Sequence, residues 1–141
     1  TDLEEECTRY TSLLSQFPTD IVCLGIGENG HIAFNDPDVA NFNDHKLVKI
    51  VKLDHVCRQQ QVNEKCFETL EQVPTEALTL TIPALLKAKW MFCIVPFKNK
   101  AQAVYRTIHG DISEKCPASI LRRKEKSSLY LDTESAQLLN L

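Results

Sequence analysis

Glycine is scarce in this chain, with four residues in 141, and three of the four fall within six positions: Gly25, Gly27 and Gly30. The single methionine is not at the start. The chain opens at Thr1 straight into helical spacing (Leu3, Cys7, Tyr10, Leu13, Leu14, Phe17), as expected of a fragment or a processed product. No apolar run approaches the roughly 20 residues that span a bilayer. The opening residues Asp2, Glu4, Glu5 and Glu6 are acidic, unlike a signal peptide. None of the six cysteines forms a C-x-x-C pair, and no Cys/His pairs have zinc-site spacing, so neither a metal site nor a disulfide framework is expected. That cysteine usage fits a cytoplasmic protein. Excess positive charge is also missing. The net charge of −3 argues against nucleic acid and anionic membranes as partners. A phosphorylated metabolite stays open, because it needs only one or two well-placed cations.

What remains is an ordinary globular composition, 43% hydrophobic and 25% charged, long enough for one domain. Residues 2–16 read as an amphipathic helix stopped by Pro18. Residues 20–26 and 47–53 read as strands, with a long Asn/Asp/Gly-rich loop over 27–45 between them. Asp54 is placed to cap a helix over about 55–70. Residues 77–82 are β-prone, and Pro83 opens a short helix. The run Trp90 to Val95 is continuously apolar, as in a parallel strand covered on both faces. Asn99 is placed to cap a helix running to His109, with Gly110 closing it as a left-handed C′ residue. A helical turn over 117–123, a strand over 128–131 and a last short helix to Leu139, capped by Asp132 or Thr133, complete the pattern. Strands alternating with helices predict an α/β, Rossmann-like, mainly parallel sheet flanked by helices.

The chemistry concentrates after the first strand. Gly25-x-Gly27-x-x-Gly30 matches the dinucleotide fingerprint, but Asn35-Asp36-Pro37 breaks the helix that this fingerprint needs. His31 follows the turn, with Asn29 beside it and Asp36 five residues on. A histidine there can move a proton to and from a sugar oxygen, and a carboxylate can orient its ring. Lys100, at a strand-to-helix junction, is placed to meet a phosphate, and Arg58 and Lys65 are further cations on the 55–70 helix. His45, His55 and His109 lack such surroundings.

The run Leu24-Gly25-Ile26-Gly27-Glu28-Asn29-Gly30-His31-Ile32-Ala33-Phe34-Asn35-Asp36-Pro37 resembles the signature of the glucosamine-6-phosphate deaminases. Val73-Pro74-Thr75-Glu76-Ala77-Leu78-Thr79-Leu80, Lys98-Asn99-Lys100-Ala101 and Cys116-Pro117-Ala118-Ser119-Ile120-Leu121 resemble three further segments of that family, in the same order. The related 6-phosphogluconolactonases share the Gly-His core, but Ala33-Phe34-Asn35 favours the deaminases.

This resemblance implies conversion of glucosamine 6-phosphate to fructose 6-phosphate and ammonia, with no metal or organic cofactor. His31 matches the histidine that assists opening of the sugar ring, Lys100 matches a phosphate-binding lysine, and Gly25, Gly27 and Gly30 line the same turn. Two positions depart from the pattern. Asn29 stands where many members have aspartate and cannot carry a proton, and Asp36 stands where glutamate is common. The family's phosphate-binding arginine falls near Asn63. Its proton-abstracting aspartate and main phosphate loop lie on earlier strands than any in this chain. The expectation is therefore a single domain, 1–141, that forms the C-terminal part of a larger one, with a hexosamine phosphate as substrate and little activity by itself. Homo-oligomerisation stays open. The rivals are a 6-phosphogluconolactonase, another amino-sugar phosphate isomerase, a non-catalytic sugar-phosphate-binding protein and a dinucleotide-binding module.

Overall fold

The computed structural model describes residues 2–140. Helix α1 (Leu3–Gln16) begins where the Asp2 carboxylate accepts the backbone N–H groups of Glu4 and Glu5. Three glutamates in its first turn suit the positive end of the helix dipole. Strand β1 (Ile21–Leu24) follows, and no further helix or strand forms before β2 (Val48–Lys52). The long loop between them is the predicted one.

Two sheets form rather than one. β1, β4 (Trp90–Val95) and β5 (Ser127–Leu131) make a parallel sheet in the order β1-β4-β5. β2 instead pairs antiparallel with β3 (Glu76–Leu80), Val48 opposite Leu80 and Lys52 opposite Glu76, as a separate ribbon. The α/β class stands, with the parallel part confined to three strands.

The core lies on one side of the parallel sheet. Met91, Cys93 and Val95 point into it and pack with Ile82 and Leu85 of α3 (Ile82–Leu86), Ala103 and Val104 of α4 (Ala101–His109), and Ile120 of the 3₁₀ segment Pro117–Arg123. The opposite face is bare. Ile21, Cys23, Trp90, Ile94 and Tyr130 are exposed along it, Ile94 to 50% and Tyr130 to 53%. This corrects the expectation that β4 is covered on both faces.

Three further boundaries move. Helix α2 (His55–Asn63) stops well short of residue 70. Glu64 is its cap, Lys65 turns left-handed at φ 60°, and Cys66 N–H reaches Gln61 O while Lys65 N–H reaches Val62 O. This is a Schellman closure with lysine where glycine is usual. Lys65→Gly is expected to stabilise the chain by about 1 kcal/mol by removing the Cβ penalty, measured as a raised thermal midpoint. Gly110 caps α4, but in extended backbone at φ −74°. It is glycine for another reason: a Cβ there would lie 2.6 Å from Arg106 O. Residues 133–139 form turns rather than a helix, although Asp132 does accept the Ser135 N–H as predicted of a cap.

Candidate active site

β1 ends at Leu24, and the chain turns at once through Gly25 to Gly30. Gly27 N–H donates to His31 O and Gly30 N–H to Gly27 O, which closes the turn on itself. Gly30 has φ 92° and packs against the Cys116 sulfur, which a Cβ would meet at 2.8 Å. Gly27 lies under the His31 imidazole, so close that a Cβ would clash with Cε1, Nδ1 and Nε2 of the ring. The turn therefore serves to seat one histidine.

His31 is buried, 8% exposed, and is held through Nδ1. That nitrogen lies 2.8 Å from Asn29 Oδ1 and 2.9 Å from Asp36 Oδ1. Asn29 Oδ1 also accepts the His31 backbone N–H at 3.0 Å, while Asn29 Nδ2 donates to Asp36 Oδ1 at 2.9 Å and to Asp54 Oδ2 at 3.1 Å. Every donor and acceptor of the amide is used, and flipping it would set donor against donor at His31. Both neighbours of Nδ1 are acceptors, so Nδ1 carries a proton and the neutral ring keeps its lone pair on Nε2.

Asp36 is 1% exposed. Burial pushes its carboxyl up, but the hydrogen bonds from His31 and Asn29 outweigh this and hold it below the ordinary aspartate range. Its Oδ2 has no N or O partner. Cys57 of α2 lies beside it: His31, Asp36 and Cys57 bring a ligand atom each within 4.8 Å of one another. A metal would need these groups deprotonated. Here burial, reinforced by the charges of Asp36 and Asp54, pushes the Cys57 thiol up to about 12, and Nδ1 is committed to two acceptors. The cluster is a carboxylate hydrogen-bonded to an imidazole with a protonated thiol nearby, poorly suited to hold a metal.

His31 lines a cleft of about 400 Å³ at the carboxyl ends of β1 and β4. It is also lined by Gly25 and Gly27, by Ile94 to Phe97, and by Gln60, Glu64 and Lys100. Carboxyl ends of parallel strands are where open α/β sheets place their ligands. Lys100 is 5% exposed, with Nζ 3.3 Å from Glu64 Oε1. Gln60 Nε2 holds the same carboxylate oxygen at 2.8 Å.

The predicted residues thus divide. His31, Gly25, Gly27 and Lys100 line the cleft, Asn29 and Asp36 stand behind His31, and Gly30 packs away from the opening. Arg58 does not serve a phosphate. Its guanidinium donates to Leu70 O and Val73 O and ties α2 to the turn after it. Lys65 ends α2 through its backbone and is exposed away from the cleft lining, and Asn63 is exposed and accepts from Gln59. Sequence reasoning missed Gln60 and Glu64, whose spacing of four on one helix face was the available signal. It also missed Phe97, held at φ 79° on the cleft rim with its N–H on Asp132 Oδ2.

A Rossmann-like parallel sheet with a histidine–carboxylate pair and a buried lysine at the carboxyl ends of its strands defines the class. The chain belongs to the glucosamine-6-phosphate isomerase/6-phosphogluconolactonase family, which it matches over residues 1–130. It is 42% identical to a glucosamine-6-phosphate deaminase of Bacillus cytotoxicus, over 97% of this chain and 50% of that protein. A Listeria monocytogenes deaminase is 41% identical, over 99% of this chain and 57% of that one. The chain spans about half the length of the curated relatives it matches. A solved monomeric glucosamine-6-phosphate deaminase superposes with a TM-score of 0.89 at 39% identity, over 97% of this chain and 55% of that one. A 6-phosphogluconolactonase from Trypanosoma cruzi shares the fold, with a TM-score of 0.71 at 18% identity.

Proposed function

We propose that this chain carries the ring-opening side of a glucosamine-6-phosphate deaminase site and is the C-terminal portion of such a domain. The observation that carries the reading is His31 at the cleft, its Nδ1 proton held by Asn29 and Asp36, with Lys100 lining the same cleft. Opening a pyranose hemiacetal takes the proton from the anomeric hydroxyl, breaks the C1–O5 bond and returns a proton to O5. An imidazole with a free Nε2 lone pair does both halves, because Nε2 accepts the first proton and donates it back. While Nε2 holds it the ring is cationic, and the buried Asp36 carboxylate beside Nδ1 stabilises that charge. Lys100 is placed to hold the phosphate end of the sugar in exchange for Glu64. The substrate is read as a hexosamine phosphate and the setting as cytoplasmic. Deaminases at 41–42% identity and six free cysteines support these readings.

The bare face of the β1-β4-β5 sheet supports the reading of a partial domain, since a row of exposed apolar side chains there is a packing surface. On this reading the proton-abstracting group is supplied from outside these 141 residues. The test is ammonia release from glucosamine 6-phosphate, assayed beside hydrolysis of 6-phosphogluconolactone. The chain by itself is expected to be far slower than a full-length deaminase, and a polypeptide that joins it to the missing half is expected to release ammonia. Lactone hydrolysis without ammonia from the joined polypeptide would transfer the chain to the lactonase branch. Sugar-phosphate binding without turnover would make it a binding protein.

A further inference from the structure

We propose that Asp54 is a positioning residue that sets the tautomer of His31 through the Asn29 amide. The inference rests on His31 being the proton carrier, and deepens that reading. Asp54 precedes α2, and its first oxygen does what a capping aspartate does, accepting the Cys57 N–H at 2.6 Å. Its second oxygen does something a cap does not require. Oδ2 accepts a hydrogen from Asn29 Nδ2 at 3.1 Å, across 25 residues of chain.

The consequence follows from counting donors and acceptors. Asn29 has one NH₂ and one oxygen to place. Its NH₂ is drawn toward two carboxylate oxygens, Asp36 Oδ1 and Asp54 Oδ2. That leaves Oδ1 for His31, where it meets both the backbone N–H and Nδ1. An aspartate at position 29 would put three carboxylates in contact. An asparagine turns the same geometry into a clamp, with two anions fixing the amide and the amide fixing the ring. α2 also carries Gln60 and leads into Glu64, the partner of Lys100, so Asp54 ties the histidine to the lysine side of the cleft.

The decisive variant is Asp54→Asn. Asparagine caps helices as well as aspartate, and its amide oxygen must stay on the Cys57 N–H. Its NH₂ then faces the NH₂ of Asn29, so one of the two carboxylates that fix the amide is lost while Asp36 and the helix remain. The measurement is the ¹⁵N spectrum of the four labelled histidines, with His31 assigned from its absence in His31→Gln. In the unsubstituted chain, Nδ1 of His31 is expected to resonate as a protonated nitrogen and Nε2 as an unprotonated one. In Asp54→Asn the wide separation between the two is expected to collapse toward a common average, with the helical circular dichroism retained. Asp54→Ser, which keeps a capping oxygen and deletes the second one, is expected to show the same collapse in part and serves if the asparagine variant does not fold. A His31 ring protonated at Nε2 in the unsubstituted chain overturns the proposal, as does an unchanged His31 spectrum in either folded variant. No substrate enters the measurement, so the expected spectra together with no ammonia release from the joined polypeptide would sink the deaminase reading and leave this one standing.

Discussion

Gly27→Ala is expected to unseat His31 and abolish most of its function, whereas Gly25→Ala, two residues away, is expected to be tolerated. The two glycines look alike in the sequence and differ in what stands over them. A Cβ on Gly25 meets only Ile94 O, at 3.5 Å, an ordinary contact. A Cβ on Gly27 would press into the face of the imidazole, far inside van der Waals contact with Cε1, Nδ1 and Nε2. The ring cannot swing clear without giving up Asn29 and Asp36, both under 3 Å from Nδ1. Overpacking of this kind costs about 1–3 kcal/mol. A misplacement of about 1 Å in a catalytic group costs on the order of 10²-fold in rate. Thermal denaturation and the ring resonances of His31 report the first effect in the chain itself. Ammonia release by an active polypeptide containing the chain reports the second. Equal melting points and equal His31 spectra for the two alanine variants would contradict this account of the turn.

The sequence announced some of this and hid the rest, for reasons that can be named. β4 was legible because six consecutive apolar residues admit little else, and Pro83 marked the first turn of α3. The partner of β2 was not legible. Val48 to Lys52 and Glu76 to Leu80 each read correctly as strands, but their antiparallel pairing is a contact between segments some 28 residues apart. Periodicity records which face is buried and says nothing of the neighbour. The end of α2 was hidden by an apolar pattern (Val62, Cys66, Phe67, Leu70) that continued past the real boundary. A lysine in the left-handed region stops the helix with no compositional warning.

The site divides in the same way. His31, Asn29 and Asp36 lie close in sequence, and a short loop brings them together. Asp54, Gln60 and Glu64 reach the site only because α2 packs beside the glycine turn, where Gln60 Oε1 accepts the Glu28 N–H. Residues whose role depends on the approach of two elements leave no mark in local spacing. Asp54 had a complete local explanation as a helix cap, and that explanation concealed its second contact.

Asp36 carries the other large expected effect, and two substitutions separate its charge from its shape. Asp36→Ala removes the acceptor of two buried hydrogen bonds, from His31 and from Asn29, and is expected to cost about 2–3 kcal/mol. Asp36→Asn keeps an oxygen for both donors and loses only the charge, so its stability at neutral pH is expected to fall less. Its function is expected to fall by about 10²-fold, because the transient imidazolium of His31 then lacks a buried counter-charge. The pH dependence follows from the direction of the shift. The folded chain holds the Asp36 carboxyl below its unfolded value, so on acidification the unfolded state takes up that proton first. The stabilisation from Asp36 is therefore complete above the unfolded value near pH 4. It fades as the pH falls from there through the lower folded value. Urea denaturation at a series of pH values should show the unsubstituted chain losing more stability than Asp36→Asn below about pH 4. Parallel curves would mean that the carboxylate carries no charge-dependent share of the fold. Ammonia release by Asp36→Asn at the unsubstituted rate would remove Asp36 from the proton transfer altogether.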